Sequence, residues 1–142
     1  MRLLFLFLFV FLFAANADAR NRKIKIVTSK GTIVVKLSDK TPKHRDNFIK
    51  LVKQKYYNGI LFHRVIKEFM IQAGDDSTKN PVPGKRYGGG GLKNKIPAEF
   101  DTSLFHKRGV LAAARDNNPE KASSGSHFYI VQGKIHTDSS LD

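Results

Sequence analysis

YYNGILFHRVIKEFMIQAGD, Tyr56 to Asp75, is the stretch on which the fold turns. Asn58-Gly59 predicts the end of a preceding helix, because glycine suits the left-handed conformation that closes many helices. Two short runs rich in aromatic and branched residues follow, Leu61 to Val65 and Phe69 to Ala73, with the charged pair Lys67-Glu68 between them. Their length and composition predict two strands joined by a turn. Arg64 and Phe69 then stand on neighbouring strands. On pattern alone Phe69 and Met70 read as core residues and Arg64 as a surface residue.

Upstream, Lys23 to Leu37 reads as a hairpin. Ile24 and Ile26 alternate with lysines, Ser29-Lys30-Gly31 supplies turn chemistry, and Ile33, Val35 and Leu37 resume the period of two. Thr41-Pro42 offers an N-cap followed by proline at the first helical position. Phe48, Leu51 and Val52 then recur at the spacing of one buried helical face. Downstream, Asp75 to Lys95 carries Pro81, Pro83 and the run Gly88-Gly89-Gly90-Gly91, which predicts a long surface loop. No GK[ST] follows the glycines, so a phosphate cradle is not indicated. Gly109 to Ala114 and Phe128 to Val131 complete the strands, separated by a polar loop from Asp116 to Gly125. Many short strands and one clear helix point to an antiparallel barrel or sandwich with helical caps.

The length of 142 residues suits one domain, and 41% hydrophobic with 26% charged residues is ordinary for a folded chain. The N-terminus differs from the rest. One arginine at position 2 precedes an unbroken apolar run from Leu3 to Ala15, too short to span a bilayer but suited to a signal peptide. Ala15-Asn16-Ala17 and Ala17-Asp18-Ala19 both read as cleavage sites, so residues 1–19 are expected to be a leader and 20–142 the folded domain. The expected location is secreted or periplasmic, with no stable membrane insertion after cleavage. Cysteine is absent, which excludes disulfides and thiol chemistry. The net charge of +13 favours anionic neighbours, but the basic residues are scattered and form no Arg-rich tract, so no nucleic-acid site is expected.

The opening stretch, together with NFIKLVKQKYYNG before it, IPAEF (Ile96 to Phe100), HKRGVLAAAR (His106 to Arg115) and SGSHFYIVQG (Ser124 to Gly133), resembles the cyclophilins. The segments stand in family order. The resemblance implies a mainly β fold: an antiparallel barrel, eight-stranded in the family and here lacking its last strands, with a capping helix. It implies peptidyl-prolyl cis/trans isomerase activity on proline-containing unfolded or nascent polypeptides, with no cofactor and no metal. His106, His127 and His136 accordingly lack metal-ligand spacing.

By the same resemblance Arg64 corresponds to the catalytic arginine, with Phe69 and Met70 as walls of the proline pocket. Gln72 corresponds to a side chain that binds substrate backbone and steadies the arginine. Ala114 and Arg115 match a segment that usually reads Ala-Asn and lines the peptide groove through its main chain. Tyr129 matches a pocket aromatic that is commonly Phe, its hydroxyl expected to stay wet at the rim. His127 stands where Gln is usual and is expected to donate one hydrogen bond. His63, next to Arg64, is expected on the opposite face as a structural residue. Leu141 is matched to a pocket leucine. Family members continue beyond this point through closing strands and a second helix, so the chain reads as a truncated domain that would be a monomer if complete. An open barrel edge predicts poor stability or aggregation. A proline-peptide-binding, chaperone-like module with little turnover is the alternative function.

Overall fold

A computed structural model describes residues 22–134. The expected leader, Leu141, His136 and the C-terminal stretch behind the truncation reading lie outside these residues. Among those described, no helix is long and apolar enough to cross a membrane.

The first hairpin forms as its pattern predicts. Strands β1 (Lys23–Thr28) and β2 (Gly31–Lys36) pair antiparallel across a two-residue turn, Thr28 opposite Gly31. The Thr28 hydroxyl holds the turn, accepting from the Lys30 amide at 3.1 Å and donating to the Gly31 carbonyl at 2.8 Å. Ile24, Ile26, Ile33 and Val35 face inward and the lysines outward.

Helix α1 (Pro42–Lys53) starts with proline at its first turn and buries Phe48 and Leu51, each such side chain contributing about 1.5–3 kcal/mol. Its caps differ from the sequence reading at both ends. Thr41 makes no side-chain capping bond. Instead the Glu99 carboxylate, arriving from a distant loop, accepts from the Lys43 and His44 amides at 3.0 Å each. It also bonds His44 Nδ1 at 2.7 Å, and His44 Nε2 reaches the Ser123 hydroxyl at 3.1 Å. Burial alone would raise the Glu99 carboxyl, but these hydrogen bonds outweigh it and hold the group below the ordinary carboxylate range. Glu99→Ala therefore lowers stability by about 2 kcal/mol, the sum of a lost cap and a lost charge at the helix N-terminus. Thr41→Ala has little effect. Urea midpoints for the two variants check this ordering, and equal midpoints would remove it.

The other end closes earlier than Asn58-Gly59. The Tyr56 amide bonds the Leu51 carbonyl and the Lys55 amide the Val52 carbonyl, both at 3.0 Å, a Schellman closure with Lys55 at φ +56°. The two tyrosines beyond it account for the early exit. Tyr57 packs its ring 5.1 Å from Phe48 and bonds the Ser126 carbonyl at 3.1 Å, which pulls the chain out of the helix despite the left-handed lysine.

Strands β3 (Arg64–Ile66), β4 (Met70–Ala73), β6 (Leu111–Ala113) and β8 (Phe128–Val131) form an antiparallel sheet in the order β3-β4-β8-β6. Two-residue strands β5 (Lys95–Ile96) and β7 (Ser123–Ser124) pair separately. β3 begins three residues later than Leu61, because the Leu61 amide is taken by the Thr78 hydroxyl at 3.0 Å. Phe69 lies in the turn before β4, where Glu68 takes the left-handed conformation of a three-residue hairpin loop. The core gathers Val35, Leu37, Phe48, Ala73 and Phe128. Phe128 is its centre, meeting Phe48, Tyr57 and Phe62 edge-on at 5.4, 5.3 and 6.2 Å. Such contacts add about 0.5–1.5 kcal/mol per pair beyond burial.

The predicted 75–95 loop is built around Asp75, which is fully buried. Its carboxylate accepts from the Ser77 amide and hydroxyl at 2.9 and 2.6 Å, and from the Gly88 and Gly90 amides at 2.6 and 3.2 Å. A Cβ on Gly90 would collide with that carboxylate, which is why glycine stands there. The glycine run thus gives its amides to the protein's own anion.

Candidate active site

Strand register places the site. Arg64 pairs with Gln72, Gln72 with Tyr129, and Tyr129 with Ala112, so these four residues form one row across the sheet. Directly paired residues share a face, and adjacent Phe128 points the other way into the core. The row is therefore on the outer face. There Arg64 Nη1 donates to Gln72 Oε1 at 3.1 Å. Phe69, 49% exposed, faces the Tyr129 ring at 6.4 Å and 44°. Met70 is buried beside them on the same strand face as Gln72. A permanently charged, planar donor is thus steadied next to an apolar slot.

Arg64, Phe69, Met70, Gln72, Ala114, Arg115, His127 and Tyr129 all line one cavity of about 850 Å³. Phe48 and Phe128 line it too, so the groove is continuous with space on the core side of the sheet. Three members have contacts that the sequence did not foretell. The Ala114 amide bonds the His127 carbonyl at 3.0 Å and the Ala114 carbonyl accepts from Ser124 at 2.8 Å, leaving only a second carbonyl lone pair for a ligand. His127 turns its Nε2 edge inward. Its ring packs 5.5 Å from His63, under Gly91, and its Nε2 is buried with no partner among the described residues. The His127 amide is tied to the Ser124 hydroxyl at 3.1 Å just before β8 begins. The Tyr129 hydroxyl has a partner at the rim, the exposed His106, whose Nε2 lies 2.7 Å from it. Burial raises the Tyr129 hydroxyl above its ordinary value. Arg115 is exposed at the rim.

His106 is the residue of this site that sequence reading left out. A tyrosine in place of phenylalanine was its one signal, since a half-buried hydroxyl needs a partner.

Both ring nitrogens of His63 are also buried with no partner among the described residues. Burial first, then the neighbouring His127, pushes the His63 imidazole below its ordinary value of 6.5, although Asp75 pulls the other way. A lowered base takes its proton more readily unfolded than folded, so stability is lost as pH falls from that ordinary value through the lowered one. The melting temperature should thus decline as pH falls below about 6.5, and His63→Asn should flatten the decline. Identical profiles for the two proteins would contradict it. Among the described residues no three His, Cys, Asp or Glu side chains converge on a point a metal ion could occupy.

An antiparallel β domain with one principal helix and an outward Arg–Gln pair beside an aromatic slot is a cyclophilin architecture. Residues 23–142 match the family described as cyclophilin type peptidyl-prolyl cis-trans isomerase/CLD, and the chain belongs to that family. It is similar to peptidyl-prolyl cis-trans isomerase-like 2 of Rhizopus delemar, 46% identical over 110 residues, covering 75% of this chain and 19% of that protein. A Staphylococcus aureus relative is 40% identical over 115 residues, covering 79% of this chain and 54% of its own length. The chain thus spans from about a fifth to about half of these curated relatives. Among solved structures, a cyclophilin type peptidyl-prolyl cis-trans isomerase of Cryptosporidium parvum superposes with a TM-score of 0.64 at 30% identity, covering 78% of this chain and 67% of that one. The same protein, crystallised in the presence of the dipeptide Ala-Pro, gives 0.65 at 28% identity, with coverage of 80% and 70%.

Proposed function

We propose that this chain is a peptidyl-prolyl cis/trans isomerase that accelerates rotation about X-Pro bonds in exported or unfolded polypeptides. The observation that carries it is Arg64, held by Gln72 beside Phe69, Met70 and Tyr129. The peptide bond owes its planarity to resonance, with a rotation barrier of about 18–20 kcal/mol. A nucleophile or base is not required. What lowers the barrier is a donor that binds the twisted bond better than the planar one, and a guanidinium N–H aimed at the prolyl nitrogen does so as its lone pair localises. The apolar slot holds the proline ring still while the rest of the chain turns.

Several features support this reading. All eight described candidate residues line one cavity, and a similar structure was obtained with a proline dipeptide. The Phe- and Leu-rich segment ahead of Asp18 supports export to a secreted or periplasmic location. The buried His127 nitrogen favours a second reading, a groove that holds proline peptides with little turnover. Catalysed cis-to-trans relaxation of a proline tetrapeptide separates the two, with Arg64→Ala as the comparison. Acceleration that depends on Arg64 supports the isomerase. Peptide binding with no acceleration, or equal rates for both proteins, removes it.

A further inference from the structure

We infer that His106 is a positioning residue of this groove, fixing Tyr129 as a rigid wall of the proline slot. The inference rests on the isomerase reading above. The two rings are nearly parallel, at 7° with centroids 5.8 Å apart, and His106 Nε2 lies 2.7 Å from the Tyr129 hydroxyl. With Nε2 only 2.7 Å from the hydroxyl the parallel rings meet edge to edge, and this in-plane hydrogen bond restrains the direction and reach of the tyrosine ring. A ring on an exposed sheet face otherwise has several rotamers to choose among.

His106 can act as a restraint because its own backbone is anchored. The Lys107 amide bonds the Phe105 carbonyl at 2.9 Å, the Val110 amide the Lys107 carbonyl at 3.1 Å, and the Gly109 amide the Val131 carbonyl at 2.9 Å. Arg108 adds a bond from Nη1 to the Gln132 carbonyl at 3.2 Å. The imidazole is therefore presented from a turn stapled to the end of β8, the strand that carries Tyr129. On the other side of the slot Phe69 has no such restraint and is half exposed. One wall of the slot is consequently fixed and the other adjusts to the substrate. His106 makes no hydrogen bond to Arg64 or Gln72, so its effect falls on how proline is held and not on the bond being twisted.

An ordered wall spares the bound complex the loss of rotamer freedom that binding would otherwise impose. Kinetics of the full chain on a proline tetrapeptide test this, with His106→Ala, His106→Phe, Tyr129→Phe and the double variant His106→Ala/Tyr129→Phe. His106→Ala should raise KM about threefold to tenfold with kcat nearly unchanged. His106→Phe keeps a ring without the hydrogen bond and should show the same loss as His106→Ala. The effect of His106→Ala should shrink in the Tyr129→Phe background, since the hydrogen bond is already gone. His106 is exposed, and matched melting temperatures establish that the variants fold.

An unchanged KM in His106→Ala, a fall in kcat without change in KM, or full additivity in the double variant overturns the inference. Arg64→Ala run alongside keeps the two readings apart. Should Arg64→Ala match the parent, the isomerase reading fails. Should Arg64→Ala be slow while His106→Ala matches the parent, only the positioning role fails. Calorimetric Kd values for the same peptide decide the case without turnover: His106→Ala must weaken binding by a similar factor, and an equal Kd overturns the role.

Discussion

Arg64→Ala lowers kcat/KM for X-Pro isomerisation about 10²–10³-fold, the loss that follows removal of one preorganised donor from a transition state. The fall appears mainly in kcat, because the prolyl nitrogen becomes a good acceptor only when the bond is twisted and its lone pair is localised. The fold is spared. Arg64 is exposed and its one side-chain hydrogen bond is to Gln72, so thermal melting should stay within about a degree of the parent, as for surface substitutions in general. Arg64→Lys should recover little. An ammonium is a compact point charge on a flexible stem, and Gln72 can no longer lock a planar fork in place. Spectroscopic relaxation of a proline tetrapeptide measures all three proteins, and a lysine variant as fast as the parent would mean that charge alone, without the oriented N–H, does the work.

Legibility in the sequence followed the distance over which each feature is encoded. The β1–β2 hairpin and the start of α1 could be read because their period, turn and proline lie within a dozen residues of one another. The sheet row of Arg64, Gln72 and Tyr129 was readable only through the family motifs. No window of the chain tells that β8 lies against β4, and only that pairing puts Tyr129 beside Gln72. Glu99 capping α1 from 55 residues away carries no local mark, and Thr41 offered a local answer that tertiary structure overrode. Lys55 in a left-handed closure is a similar case: propensity favoured Gly59, while the anchoring of Tyr57 under Phe128 decided the exit. His127 could not be oriented from a motif, since what turns its ring inward is the neighbouring His63 and the missing side chain at Gly91.

Asp75→Ala should destabilise the domain by about 3–5 kcal/mol, the scale for breaking a buried charged network. The charge is compensated by four donors: two from Ser77 and one each from Gly88 and Gly90. Alanine takes away their common partner; a donor that stays buried costs about 1–3 kcal/mol, while those of exposed Ser77 and Gly88 can turn to water. Relaxation of the glycine run toward water keeps the sum below four times that figure. Asp75→Asn preserves the shape but turns one acceptor into a donor facing amide N–H groups, so about 2 kcal/mol is expected. Acid gives an independent check on the same network. Burial alone would raise the carboxyl, yet the Ser77, Gly88 and Gly90 hydrogen bonds hold it at about 2. The stability it contributes is therefore fully present above its ordinary value of 3.8 and is lost as pH falls through about 2. The gap in urea midpoint between parent and Asp75→Asn at neutral pH should narrow as pH falls below 3.8 and close only below about 2. A parent advantage undiminished by acid would mean that the loop is held by its packing and not by this anion.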